Sequence, residues 1–104
     1  MYARNVAMHL KPNTMPIFQR TFDNSVLPLL RKQTGFQDEI IFASELGGTE
    51  VTAISLWDTK AHAEAYNSTG YVEVLKSLNP VLDGTPKLRV SDVLSSTLHQ
   101  AAHA

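Results

Sequence analysis

The stretch Trp57–Asp58–Thr59–Lys60–Ala61–His62–Ala63–Glu64–Ala65–Tyr66 constrains this chain more than any other. An alternating apolar run ends at Trp57, and a helical pattern begins two or three residues later, so a strand feeds directly into a helix. Upstream, Pro28–Leu29–Leu30–Arg31–Lys32–Gln33–Thr34–Gly35–Phe36 closes an earlier helix and opens another strand. Together the two junctions set the order strand, helix, strand, strand, helix, strand. Two βαβ halves of this kind specify an α+β, ferredoxin-like βαββαβ fold with a four-stranded antiparallel sheet.

Residues 2–11 read as the first strand. Tyr2, Arg4, Val6, Met8 and Leu10 share one face, and Ala3, Asn5, Ala7, His9 and Lys11 share the other. If the second face meets the helices, Ala3 and Ala7 leave room beside Asn5. Asn13 or Thr14 is positioned to cap a helix from about Met15 to Gln33, with Pro16 in its first turn. Phe18, Phe22, Val26, Leu29 and Leu30 form its apolar stripe. Pro28 removes one amide from that helix and should bend it, and Gly35 suits a left-handed cap. Phe36–Glu45 reads as the second strand and Leu46–Gly47–Gly48–Thr49 as a hairpin turn. Glu50–Trp57 is the third strand.

Asp58 or Thr59 caps the second helix, which should run from Lys60 to Leu82 in two pieces broken at Asn67–Ser68–Thr69–Gly70. The last strand runs from Lys87 to about Thr97. The domain therefore spans 1–97, and 98–104 reads as a tail. Both faces of the third strand are apolar, so both sides of the sheet need cover. Helices supply one layer. A second copy, packed sheet against sheet, would supply the other.

One domain is the natural count for 104 residues. A net charge of −1 with interspersed signs offers no basic surface for nucleic acid and no cationic face for a membrane. No apolar run approaches the roughly 20 residues of a membrane span. The first residues lack a signal-peptide core, and there is no cysteine. These features lead us to expect a cytoplasmic protein.

Several residues carry chemistry. The Asn5 amide both donates and accepts, as recognition of a carbonyl or enolate requires. His9, on the same strand face, has a suitable pKa for a general base. Tyr66 could donate to a ligand oxygen from the inner face of the second helix, and Tyr71 follows past the Gly70 break. Trp57 is either a packing anchor or a substrate contact. Four scattered histidines show no metal-ligand spacing. Asp38 and Glu39 are neighbours on a strand, so they point to opposite faces and cannot work as a carboxylate pair.

The early Asn5, the helix end Leu27–Phe36, Trp57 before the second helix, Ala65–Tyr66–Asn67–Ser68 and Tyr71 together resemble the antibiotic biosynthesis monooxygenase family of dimeric α+β barrels. The resemblance covers roughly 2–97. It implies a homodimer and a pocket between sheet and helices. In the haem-degrading branch a first-strand Asn, a Trp and a His act together; here the positions fall on Asn5, Tyr66 and Lys76. In the cofactor-free branch polar and aromatic side chains hold a phenol or anthrone. The resemblance thus implies a cofactor-independent monooxygenase acting on a small aromatic phenol, quinol or anthrone. Asn5, Tyr66 and His9 would be catalytic, with Trp57, Tyr71 and Phe22 contacting substrate and no metal or cofactor. A non-catalytic dimer binding a small ligand is the alternative, with haem degradation third.

Overall fold

The structure is a computed structural model that describes residues 1–45 and 48–97. Four strands form one antiparallel sheet: β1 (Tyr2–His9), β2 (Phe36–Ala43), β3 (Glu50–Trp57) and β4 (Lys87–Asp92), in the order β2-β3-β1-β4. This is the ferredoxin-like arrangement. The helices are α1 (Met15–Thr21), α2 (Leu27–Arg31), α3 (Lys60–Ser68) and α4 (Gly70–Leu78).

Between α1 and α2 the chain winds as a π turn over Phe22–Val26 rather than as the continuous α-helix expected from the sequence. The cause is local. Pro28 has no N–H to give, and the Leu27 N–H reaches back five residues to the Phe22 carbonyl. The extra residue in the turn takes up the mismatch. The stripe survives: Phe18, Phe22, Val26 and Leu30 are all buried. At the start of α1 neither candidate cap acts as one. The Thr14 hydroxyl donates to the Lys11 carbonyl at 2.6 Å, and Asn13 holds φ +61° to turn the chain.

The second helical stretch divides as the sequence indicates. Thr59 is the cap, its Oγ1 accepting from the His62 amide at 3.2 Å. Asp58 instead pairs with the His62 ring, Oδ1 to Nδ1 at 2.7 Å. Gly35 sits at φ +85° directly against this pair, where a β-carbon would collide with both side chains. Thr69 breaks the helix at φ −124°, ψ −81° and α4 begins at Gly70. A single 3₁₀ turn, Asn79–Val81, follows.

In β1 and β3 the pleat alternates as read. Tyr2, Arg4, Val6 and Met8 of β1 lie in register with Trp57, Ser55, Ala53 and Val51 of β3, and all eight are buried beneath the helices. Each large apolar side chain removed from water contributes about 1.5–3 kcal/mol. The helices therefore select the face carrying Val6 and Met8, not the one carrying Ala3 and Ala7. The strands are shorter than expected at their ends: Leu10 makes only an isolated bridge to Leu82, and β4 stops at Asp92. The expected hairpin turn includes Leu46 and Gly47, and the tail is 98–104; these residues lie outside the described ones. No helix among the described residues is long and apolar enough to cross a membrane.

Candidate functional site

Strand alternation places one cation in the core. Arg4 lies between Tyr2 and Val6 on the helix-covered face and is 3% exposed. Its Nη2 donates to Asn67 Oδ1 at 2.8 Å. Its guanidinium carbon stands 4.3 Å from the Tyr71 ring centroid and 4.9 Å from that of Tyr66. Two ring faces thus supply the cation–π contacts expected of a desolvated guanidinium. Burial lowers the Arg4 pKa, opposed by Tyr66, Tyr71 and Glu39. Arginine nonetheless stays charged in proteins.

The tyrosines are themselves fixed. Tyr66 stacks on Trp57 with centroids 4.9 Å apart and planes at 29°. Trp57 is wholly buried, meets Phe36 edge-on at 5.7 Å and donates from Nε1 to Ser55 Oγ at 2.9 Å. Gly70 lets α4 approach this tier. A β-carbon there would lie 2.9 Å from Tyr66 Cδ1 and 3.1 Å from Leu29 Cδ2. Burial raises the pKa of both Tyr66 and Tyr71, with Arg4 opposing. Both therefore keep their hydroxyl protons near neutral pH and can act as donors.

Across the sheet stands a carboxyl. Glu39 pairs in register with Ser55, and Ser55 with Arg4, so the three side chains form one row on the helix side. Simple alternation from Phe36 would not put Glu39 there. Phe36 pairs with Trp57 and faces inward, which by a two-residue period would bring Asp38 inward as well. A bulge between Phe36 and Asp38 inserts one residue. It reverses the parity, turning Asp38 outward and Glu39 inward. The Glu39 amide donates to Asp38 Oδ1 at 3.2 Å within this kink. Burial pushes the Glu39 carboxyl up to about 8, against the pull of Arg4 and with Asp38 adding to the rise.

Two spaces meet here. An inner slot of about 30 Å³ is bounded by Arg4, Ser55, Tyr66 and Tyr71 among apolar side chains. An outer cleft of about 310 Å³ runs between the first helical stretch and β2, lined by Met15, Phe18, Gln19, Asp23, Leu27 and Ile41. Phe22 and Glu39 line both. The cleft is at the small end of ligand sites and mostly apolar with a few convergent polar groups.

Of the residues expected from the sequence, Phe22, Tyr66 and Tyr71 come together here. Trp57 stands behind Tyr66 as its stacking partner and does not reach the space. Asn5 and His9 are not brought to Tyr66. They alternate with Arg4 and Met8 and so project from the opposite side of the sheet, Asn5 in register with Ile54 and Arg89. His9 is exposed, its Nε2 3.5 Å from Thr49 Oγ1. The small residues that suggested room beside Asn5 face away from the helices. Lys76 is on the surface, 3.5 Å from Glu73 Oε1. No described residue lining either space is a histidine, so the set does not fit an imidazole-ligated haem. Among the described residues no three His, Cys, Asp or Glu side chains gather as metal ligands.

Arg4 and Glu39 were not among the site residues expected from the sequence, Glu39 being set aside as one of an adjacent pair on a strand. Arg4 had a signal, being the one charge on an otherwise apolar strand face. Glu39 had none, because its direction depends on the bulge.

The family model for antibiotic biosynthesis monooxygenase matches residues 1–76. The chain is similar in structure to NE2512 of Nitrosomonas europaea, a protein of unknown function: 18% identity, TM-score 0.73, covering 92% of this chain and 91% of that one. It is also similar to SnoaB, a cofactor-independent oxygenase from Streptomyces nogalater, at 10% identity and TM-score 0.76, covering 92% and 95%. A variant of MhuD, with two manganese protoporphyrin IX bound per active site, matches at 15% identity and TM-score 0.76, covering 93% and 98%. No curated protein matches by sequence.

Proposed function

The chain belongs to the antibiotic biosynthesis monooxygenase family, and we propose that it is a cofactor-independent oxygenase of a small, weakly acidic aromatic molecule, a phenol, quinol or anthrone, working as a homodimer. One observation carries the reading: a buried guanidinium, clamped by Asn67 and two tyrosine rings, lines an inner slot that adjoins an apolar cleft at Phe22 and Glu39. A fixed positive charge in a dry site stabilises an anion that develops beside it. Ionisation of an anthrone methylene, or of a phenol, is the step that prepares such a molecule to react with dioxygen directly. The carbanion adds dioxygen, the peroxide takes a proton, and loss of water leaves a carbonyl. One oxygen atom ends in the product and one in water.

Arg4 is the counter-ion in this scheme, and the Tyr66 and Tyr71 hydroxyls are the neighbouring donors. Phe22 lies where the outer cleft meets the inner slot and would contact the ring system. The small inner slot sets the depth of entry, so the reacting edge approaches from the cleft. Asn5 and His9 project from the other side of the sheet, where a second subunit would pack.

The test is aerobic incubation of metal-free protein with anthrone under ¹⁸O₂. The expected result is anthraquinone formed above the spontaneous rate, carrying one labelled oxygen. Saturable binding of the aromatic with no catalysed product across anthrones and hydroquinones would replace this reading with that of a ligand-binding protein.

A further inference from the structure

We infer that Glu39, aimed inward by the bulge at Gln37, is the proton acceptor that ionises the aromatic substrate, and that Arg4 then exchanges one anionic neighbour for another. The inference rests on the oxygenase reading and deepens it by naming a base and the charge state in which substrate enters.

The placement is the first argument. Ser55 separates Glu39 from Arg4 in the register, and both side chains line the inner slot. Glu39 also lines the outer cleft, so its carboxyl stands where the two spaces join. His9 is on the other side of the sheet. The second argument is the bulge. It interrupts β2 at the one place where it decides whether Asp38 or Glu39 faces the cavity. A bulge that re-aims a side chain next to a cavity is a known structural device.

The third argument is charge. In the ionised form of the site, which grows as pH rises toward about 8, a neutral substrate meets the Arg4 cation and the Glu39 carboxylate. The substrate C–H or O–H bond breaks, the proton joins a Glu39 oxygen, and the electron pair stays on the substrate. The site then holds the same cation, a neutral carboxyl and a substrate anion. Net charge is unchanged, so no new charge is buried in creating the reactive species. The Glu39 carboxyl can next return its proton to the peroxide formed with dioxygen. An already ionised substrate would meet Glu39 as a like charge, so the neutral form is the one admitted.

Other titratable groups face Glu39. Arg4 comes from β1, Asp23 from the π turn across the cleft, and Tyr66 and Tyr71 from α3 and α4, while Asp38, turned to the other side of the strand, acts as a neighbouring charge. Burial holds the Glu39 carboxyl near 8, within reach of phenolic acidities, which suits a base at near-neutral pH.

Two arms test the inference. In the first, kcat/KM for anthrone is followed against pH. The wild type should rise with pH through about 8, and Glu39→Gln, which keeps the shape of the protonated carboxyl, should lose about a hundredfold with little change in KM. A Glu39→Gln enzyme with unchanged kcat overturns the inference while leaving the oxygenase reading intact. In the second arm, which needs no turnover, the Glu39 carboxyl is titrated by ¹³C NMR with and without phenol, which stays neutral in solution across the Glu39 titration. Bound phenolate should push the Glu39 titration upward, because the two anions compete for one counter-ion. A titration unmoved by the probe, or no binding of it, overturns the inference. Absence of oxygenation in the wild type, with the Glu39 titration moved by the probe, would sink the oxygenase reading and leave the proton-acceptor site standing.

Discussion

At the residue scale the proposal rests on Arg4 and Glu39, and burying Glu39 has a cost that can be measured. The Glu39 carboxyl titrates near 8 when folded and at 4.5 in the ordinary state. Between those values the folded chain binds more protons than the unfolded one, so stability falls as pH rises through that window and is level above it. Glu39→Gln should abolish this slope and raise stability at pH 8 on the order of 2–4 kcal/mol, as read by urea unfolding at several pH values. A variant whose pH dependence matches the wild type would mean that Glu39 is not held neutral. Tyr66→Phe keeps the stack on Trp57 but removes a hydroxyl beside Arg4. It should leave the melting temperature nearly unchanged while lowering kcat about tenfold or more. An equal loss in both would make Tyr66 a packing residue only. Arg4 was visible in the sequence as the charge on an apolar face, and Asn5, the next residue, projects from the opposite side of the pleat.

At the element scale, local signals in the sequence translate into structure wherever the backbone is regular. The cap at Thr59, the left-handed Gly35, the break before Gly70 and the alternation of β1 and β3 were all legible, though the helix before Gly35 ends at Arg31 with Lys32 as its cap. Two departures were not. The π turn before Pro28 keeps the Phe18–Leu30 stripe buried, so the pattern of apolar residues is the same with or without it. The bulge at Gln37 has no glycine to mark it, and it changes which of two adjacent acids points inward. Gly70 is the test of how tightly α4 is fitted to the aromatic tier. Ala at this position gains up to ~1 kcal/mol of helix propensity but must displace the Tyr66 ring and Leu29. Overpacking of this kind costs about 1–3 kcal/mol. Gly70→Ala should therefore lower the thermal midpoint and change the near-ultraviolet dichroism of the Trp57–Tyr66 stack. A more stable variant with an unchanged spectrum would show that the tier has slack.

At the scale of the whole molecule, the helices cover one face of the sheet and leave the other with Ile40, Phe42, Thr52 and Ile54 between them. Phe42 is 56% exposed. We propose that a second copy covers this face, as the resemblance implies, which would also bury Asn5. Light scattering at micromolar concentration should report a dimer, and Phe42→Asp should shift it to monomer. A wild-type monomer would contradict the proposal and leave the apolar outer face without an occupant.

The fold and family were readable from the order of elements and a handful of residues, whereas the proposed chemistry rests on side chains brought together from β1, β2, α3 and α4. The most direct measurement of the central claim is oxygen uptake on anthrone by metal-free wild-type protein and by Arg4→Met, which keeps an unbranched apolar stem and removes the charge. The account predicts uptake above the spontaneous rate in the wild type, falling to that rate in a folded Arg4→Met. Equal uptake by the two proteins would contradict it, because the buried charge would then have no part in the reaction.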